Sequence, residues 1–309
     1  MTGLLRRVAL LVAIGAIAVM LPGCRGSGPG GEGSPAGPTD PAFPLTLTDD
    51  EDVEVTLEEA PDRLVTFAPS HTEIVFALGL GERIVGVSGE FDDHPPEATD
   101  IEHVGGAGGV EPNIETVVSL EPDVVLTGFI GGEWKDRLRD LGVPVFTTLA
   151  SDLEDALADI ETIGELIGAR NPAENLVVDL ESRAEAVEEQ AADEGTVTCF
   201  LELSDLFTVG PGALEYDLLE RAGCDPITSS ADEPYPQWSL ERLVSDDPNV
   251  YLASEFGQSL RRVVDRPGIR DLTAVEQGRV YLVDGDLISR PGPRLVEGLE
   301  ALAEALHRE

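Results

Sequence analysis

Arg63-Leu64-Val65-Thr66-Phe67-Ala68-Pro69-Ser70-His71-Thr72-Glu73-Ile74-Val75-Phe76-Ala77-Leu78-Gly79, followed by Ile84-Val85-Gly86-Val87, reads as strand, helix, strand. Leu64 to Phe67 is a short β-type run. Ser70 and Glu73 have the spacing of a capping box, and Ile74, Phe76, Ala77 and Leu78 continue a helix that stops at Gly79. The same alternation recurs. Strand candidates are Val124 to Thr127 and Val143 to Thr147, with helices over Asn113 to Leu120 and Glu133 to Leu141 between them. Nearly continuous apolar strands alternating with helices predict a parallel sheet covered on both faces.

The middle of the chain differs. Ser151 and Glu154 suggest a second capping box, and Leu153, Leu157, Ile160, Ile163 and Ile167 recur at helical spacing. After Gly168 a new helix is expected with Asn171 as cap and Pro172 at its first position, running towards Ala192 without a strand partner. It reads as a spine between two lobes. Beyond it the alternation resumes with strands Val197 to Leu203, Val250 to Ala253 and Val280 to Val283. Helices cover Ala213 to Ala222, Ser239 to Val244 and Arg294 to His307. The fold class is therefore α/β: two parallel-sheet lobes joined by a long helix, with a cleft between them at the strands' carboxyl ends. The loops expected on that face are Pro69 to His71, Glu90 to Pro96, Phe207, Tyr235 to Trp238 and Asp286 to Arg290.

The N-terminus reads as an export signal. Arg6 and Arg7 precede an apolar run from Val8 to Leu21 that ends in Leu21-Pro22-Gly23-Cys24. Fourteen residues rise only about 21 Å as a helix, too short to span a bilayer. The ending resembles a lipobox, which makes Cys24 the lipid attachment point. The arginine pair also resembles a twin-arginine signal, so either export route is open. Residues 25–44 are rich in Gly, Pro and Ser and read as a flexible tether. The expected organisation is signal peptide 1–23, lipidated cysteine and tether 24–44, N-terminal lobe 45–170, connecting helix 171–194 and C-terminal lobe 195–309. Such a protein is held at the outer face of the cell membrane.

Across its 309 residues the chain has 60 Asp and Glu against 20 Lys and Arg, a formal net charge of -40. Its 42% hydrophobic content is enough for packed cores. Nucleic acid is excluded as a partner, because phosphate contacts need cations that this surface lacks. Lys135 is the only lysine. Acid in excess with scarce lysine resembles proteins of salt-loving archaea, where self-repulsion is screened over about 3 Å at 1 M salt. Apart from Cys24, the cysteines are Cys199 and Cys224, read as free buried thiols rather than a bridge because Cys199 sits in a strand-like run. No Cys/His metal spacing, Gly-x-Ser-x-Gly elbow or P-loop occurs, and Gly105 to Gly109 leads into Pro112 as a loop. Neither a metal nor a cofactor is expected, nor an enzyme; a surface hydrolase and a sensor lipoprotein that transports nothing are the disfavoured alternatives.

In their order these motifs resemble the class III substrate-binding proteins of ABC importers. The likeness rests on the stretch quoted first, on Asn113-Ile114-Glu115 with Leu120-Glu121-Pro122-Asp123-Val124-Val125, on Ser239-Leu240-Glu241-Arg242-Leu243 and on Gly278-Arg279-Val280-Tyr281. It spans about residues 62 to 307. Asp93-His94-Pro95-Pro96, Pro234-Tyr235-Pro236-Gln237 and Asp286-Leu287-Ile288-Ser289-Arg290 resemble most the vitamin B12 (cobalamin) binders. The resemblance implies that Phe91, Phe207 and Tyr235 clasp the ligand and that Asp286 and Arg290 meet its polar edge. His71 and Trp238 join them as candidates from their place near the cleft. It further implies that Glu115 and Glu241, one on each lobe, dock on arginines of a permease dimer with its ATPase subunits, and that the receptor acts as a monomer. The chain departs from one binder type at Ala107-Gly108, where a tryptophan is placed, and Tyr235 stands where a tryptophan is often found. A ferric siderophore or haem is the alternative ligand; a single cleft arginine, Arg290, beside Asp286 and Asp92 favours a near-neutral one.

Overall fold

A computed structural model describes residues 41–89, 91–105, 111–129, 131–255 and 259–308. The signal peptide, Cys24, most of the tether, Glu90 and Ala107-Gly108 lie outside the described residues.

The N-terminal lobe opens with an antiparallel hairpin, β1 (Leu45–Thr48) and β2 (Glu54–Leu57), whose outward residues alternate with buried Val55 and Leu57. Then come β3 (Leu64–Thr66), α1 (Pro69–Ala77), β4 (Ile84–Val87), α2 (Ile114–Ser119), β5 (Val124–Thr127), α3 (Glu133–Asp140) and β6 (Val145–Thr147). The four later strands form a parallel sheet in the order β4-β3-β5-β6. Next, α4 (Leu153–Leu166) leads to α5 (Arg170–Glu194), whose 25 residues extend about 37 Å.

In the C-terminal lobe the order is β7 (Val197–Ser204), β8 (Phe207–Thr208), α6 (Leu214–Arg221), β9 (Cys224–Pro226), α7 (Leu240–Asp246), β10 (Val250–Ser254), α8 (Leu260–Val264), α9 (Thr273–Glu276), β11 (Val280–Val283), α10 (Gly285–Ser289) and α11 (Leu295–His307). Parallel β11, β10 and β7 form its centre; the far edge of β7 takes β9 in parallel and β8 antiparallel.

This is the expected two-lobed α/β architecture. Gly79 and Gly168 end their helices with φ of +78° at both positions, a left-handed turn that an L side chain resists. One apolar cluster runs from Leu64, Ile74 and Leu126 through Ile160, Ile163, Val177 and Leu180 to Leu201, Leu252 and Leu299. The two sheets are therefore joined by buried packing along α4 and α5, not by a bare strand hinge.

Local details correct the sequence reading. Helix α1 starts at Pro69, whose ring fixes φ for a first helical position, so Ser70 lies inside the turn and Ala68 is an N-cap without a side-chain bond. At α4 the cap is Asp152, which accepts from the Asp155 backbone N–H, while the Ser151 hydroxyl donates to the Asp155 side chain. Helix α5 begins at Arg170, one residue before Asn171. The cysteines are not free: Cys199 and Cys224 are disulfide-bonded across the paired β7 and β9, with Cα atoms 5.8 Å apart. Strand pairing sets that distance, inside the range a disulfide requires.

Candidate functional site

The carboxyl ends of β3, β5 and β6 give one wall of a cavity of about 640 Å³ between the lobes. Pro69 to His71 come from the first, Gly128 and Phe129 from the second, Thr148 to Ser151 from the third. Leu214, Tyr235 and Ser289 to Pro291 close it from the other lobe. Open parallel sheets offer their ligand site at this edge, where strands end and loops diverge. The lobes meet closely here: a Cβ on Gly292 would lie 3.3 Å from the Ser70 carbonyl oxygen.

Tyr235 is 43% exposed and stacks on Phe207, with ring centroids 6.3 Å apart and planes 21° from parallel. The Tyr235 loop is held by backbone bonds from Gly210 to Pro234 and from Thr208 to Pro236. Beneath it the Glu215 carboxyl, 3% exposed, accepts from the Tyr235 hydroxyl at 3.1 Å and from the Ser289 hydroxyl at 2.7 Å. Burial raises the Glu215 pKa and, with the adjacent carboxylate, pushes the Tyr235 phenol far above its ordinary value.

Arg290 sits at the rim, but it is not free. Its guanidinium reaches Glu73 at 3.2 Å, Asp93 at 3.4 Å and Asp286 at 2.8 Å. Arg294 grips the same Glu73 with two bonds, 2.9 and 2.6 Å. Glu73 belongs to α1 of the N-terminal lobe and the arginines flank α10 and α11 of the other, so this network ties the lobes together. Burial raises the Asp286 pKa even though Arg290 opposes it. The expected neighbour Asp92 stands apart: it is buried, accepting from Thr72 at 2.5 Å, from Ser88 and from the Gly89 backbone.

His71 is buried in the cavity floor. Its Nε2 lies 2.9 Å from the Thr148 hydroxyl, and its Nδ1 has no partner among the described residues. Burial lowers its pKa to about 4, so the ring is neutral. Thr148 in turn hydrogen-bonds Asp159 of α4, whose carboxyl is raised to about 7 by burial, then by Asp50 and Asp155.

The structure thus lines one cleft with His71, Tyr235 and Arg290, while Phe207 and Asp286 stand behind the lining, against Tyr235 and Arg290 respectively. It does not place the other two candidates there. Phe91 is 48% exposed on the loop after β4 and is not a cavity-lining residue. Its loop instead puts His94 and Pro95 on a separate cavity of about 390 Å³, with Phe76, Glu73 and Arg294. Trp238 is 5% exposed, packed with Phe200, Leu243 and Tyr251 and covered by the Arg242 guanidinium 4.0 Å from its ring. Its backbone N–H bonds to the Leu206 carbonyl, and its ring packs into the apolar cluster of this lobe. Glu115 and Glu241 are exposed in the first turns of α2 and α7, whose caps are Asn113 and Ser239.

Residues not named among the candidate ligand contacts complete the site: Glu73, Phe129, Thr148, Glu215, Ser289 and Arg294. Phe129 stacks edge-on against Phe67, with centroids 5.7 Å apart. The lone lysine holds its loop. Lys135 is 1% exposed and bonds Glu51 at 2.7 Å, Thr147 at 3.1 Å and the Phe129 carbonyl. Gly131 to Gly132 after a strand was the available signal for Phe129; Glu73 was legible only as a capping-box member and Glu215 gave no signal, since their partners are far apart in sequence. Among the described residues no His, Cys, Asp and Glu group could hold a metal ion, and no helix is long and apolar enough to cross a membrane.

Residues 64–287 match the family described as periplasmic binding protein. An ABC transporter substrate-binding lipoprotein of Bacillus subtilis, YvrC, is 33% identical over 314 residues, covering 98% of each chain. A cobalamin-binding protein of Halobacterium salinarum is 30% identical over 277 residues, 86% of this chain and 75% of the other. Among solved structures, the vitamin B12 binding protein of Vibrio cholerae superposes with a TM-score of 0.69 at 26% identity, covering 80% of this chain and 97% of that one. The haem-binding protein RhuT of Roseiflexus superposes with a TM-score of 0.70 at 25% identity, over 80% and 98%.

Proposed function

The chain belongs to the periplasmic binding protein family, and from that membership we propose that it is the solute receptor of an ABC importer whose ligand is cobalamin. A lipid on Cys24 holds it at the outer face of the cell membrane, with the Gly/Pro/Ser-rich segment as tether, and its acidic surface suits it to molar salt.

Relatives include cobalamin and haem binders alike, so the choice of ligand rests on the cleft itself. The observation that favours cobalamin is the charge of the rim. Arg290 faces three carboxylates, and Arg294 shares Glu73 with it. Two cations against three acids leave no positive surplus for haem propionates or an anionic siderophore, whose recognition needs unpaired arginines. A corrin is broad, nearly neutral and edged with amides. Stacked aromatic rings with a few hydrogen-bonding groups suit such a body.

Delivery to the permease uses Glu115 and Glu241, one exposed carboxylate per lobe. Such pairs set orientation and encounter rate more than affinity, and molar salt screens them strongly. Ligand entry involves only small closure, because α5 and the continuous core resist bending.

The test uses residues 41–309 in molar salt, mixed separately with cobalamin, a ferric hydroxamate and haem, then separated from free ligand by size. Co-eluting corrin absorbance supports the reading. A haem or ferric band instead overturns the ligand and keeps the receptor. Charge reversal at Glu115 and Glu241 in cells, with uptake unchanged, would count against permease docking.

A further inference from the structure

Glu215 is a buried carboxyl whose side-chain partners are two hydroxyls, each on a residue that lines the cleft. As a carboxylate it has no hydrogen to give. Tyr235 and Ser289 each own a single hydroxyl hydrogen, and both point at it: Tyr235 to Oε2 at 3.1 Å, Ser289 to Oε1 at 2.7 Å. With both hydrogens committed inward, the cleft meets only the hydroxyl oxygens, which accept.

We propose that Glu215 is a specificity-determining positioning residue: by taking the Tyr235 and Ser289 hydrogens it makes this wall of the cleft an acceptor surface, selecting ligands with N–H groups. Primary amides satisfy such a surface. Carboxylates, which only accept, meet two unpaired oxygens and a buried negative charge behind them, and an unmatched buried polar pair is costly. Glu215 itself does not touch the ligand. It also couples two parts of the wall, since Tyr235 lies on the loop before α7 and Ser289 ends α10. This inference rests on the cobalamin reading for the identity of the amide donor, but not for the direction of the hydrogen bonds.

The test compares the protein with Glu215→Gln at several pH values from about 7 to 9, because burial raises the Glu215 pKa and the acceptor wall requires the ionised carboxylate. The ligands are cobalamin and a cobalamin monocarboxylate in which one peripheral amide has been hydrolysed. The unchanged protein is expected to bind the amide form at least about tenfold tighter, a difference of about 1.4 kcal/mol. In E215Q the glutamine NH₂ donates to one hydroxyl and turns that hydrogen towards the cleft, so the preference shrinks to less than about threefold. An undiminished preference in E215Q, or a preference for the acid form in the unchanged protein, overturns the proposal. A second readout needs no ligand: ultraviolet titration of phenol ionisation. Tyr235 should ionise at lower pH in E215Q, and the shifted component should vanish in the double variant with Tyr235→Phe. No shift refutes the hydrogen bond itself. Capture of a neutral ferric hydroxamate in place of any corrinoid would sink the cobalamin reading alone; capture of haem, whose propionates only accept, would sink both.

Discussion

His71, Thr148 and Asp159 form a chain from the cleft floor into α4, and its two ends oppose each other in pH. His71 falls from an ordinary 6.5 to about 4, because burial penalises the imidazolium. Asp159 rises from 3.8 to about 7, because burial and then Asp50 and Asp155 penalise the carboxylate. Each tenfold change in proton affinity is worth about 1.4 kcal/mol. For His71 the unfolded chain binds a proton that the fold refuses between pH 6.5 and about 4, so stability falls on acidification by about 3 kcal/mol. For Asp159 the fold keeps a proton that the unfolded chain has lost between 3.8 and about 7, so stability falls as pH rises, by about 4 kcal/mol. In the unchanged protein the two slopes largely cancel. Asp159→Asn removes one of them: the variant should be more stable than its parent by about 4 kcal/mol at about pH 8, shrinking towards nothing near pH 4. His71→Gln should show the reverse, no gain at about pH 8 and about 3 kcal/mol at pH 4. Urea unfolding in molar salt across this range measures both differences. Equal gains at every pH, for either variant, would refute the linkage and leave only an ordinary packing change.

Replacing Cys199 and Cys224 with serine opens a link of sequence separation 25 and should cost about 3 kcal/mol, read as a lower urea midpoint with a somewhat steeper slope, because the uncrosslinked unfolded chain exposes more surface; an unaltered midpoint would show that the bridge constrains nothing. Glu73→Gln leaves Arg290 and Arg294 without their shared buried partner, and a loss of about 3 kcal/mol or more is expected by the same assay. A loss under about 0.5 kcal/mol would mean that the interlobe network is no more than a surface ion pair. Raising salt from about 0.1 to 1 M shortens the screening length from about 10 to 3 Å, so the melting temperature should climb steadily with salt. A melting temperature independent of salt would contradict the self-repulsion expected from a formal charge of -40.

What the sequence disclosed and what it hid follow from the range of the forces involved. Alternating strands and helices, the unpartnered α5 and the glycine stops at Gly79 and Gly168 are written in neighbouring residues, so they were legible. Pro69 moved a helix start by one turn position because its fixed φ outweighs the Ser70 and Glu73 spacing. Tyr235, Phe207 and Arg290 were found as residue types near strand ends, but their chemical state was not. Arg290 shows Asp286 four residues away on the same helical turn, yet the partner that matters most for the lobes, Glu73, is 217 positions distant. The bridge between Cys199 and Cys224 depends on Val197 pairing with Cys224, a register that neither segment encodes alone. Trp238 misled for the opposite reason. An aromatic beside Tyr235 and Pro236 looks like a second cleft wall, but Tyr235 is 43% exposed while Trp238, three residues on, is 5% exposed and packs against Phe200, Leu243 and Tyr251. The cleft's acceptor character depends on Glu215, which sits in the first turn of α6 where an acid is commonplace. Its meaning lies in Ser289, 74 positions away, and in Tyr235 across the same wall. Specificity in this receptor therefore resides in the directions of hydroxyl hydrogens, and only the folded arrangement of three distant segments sets them.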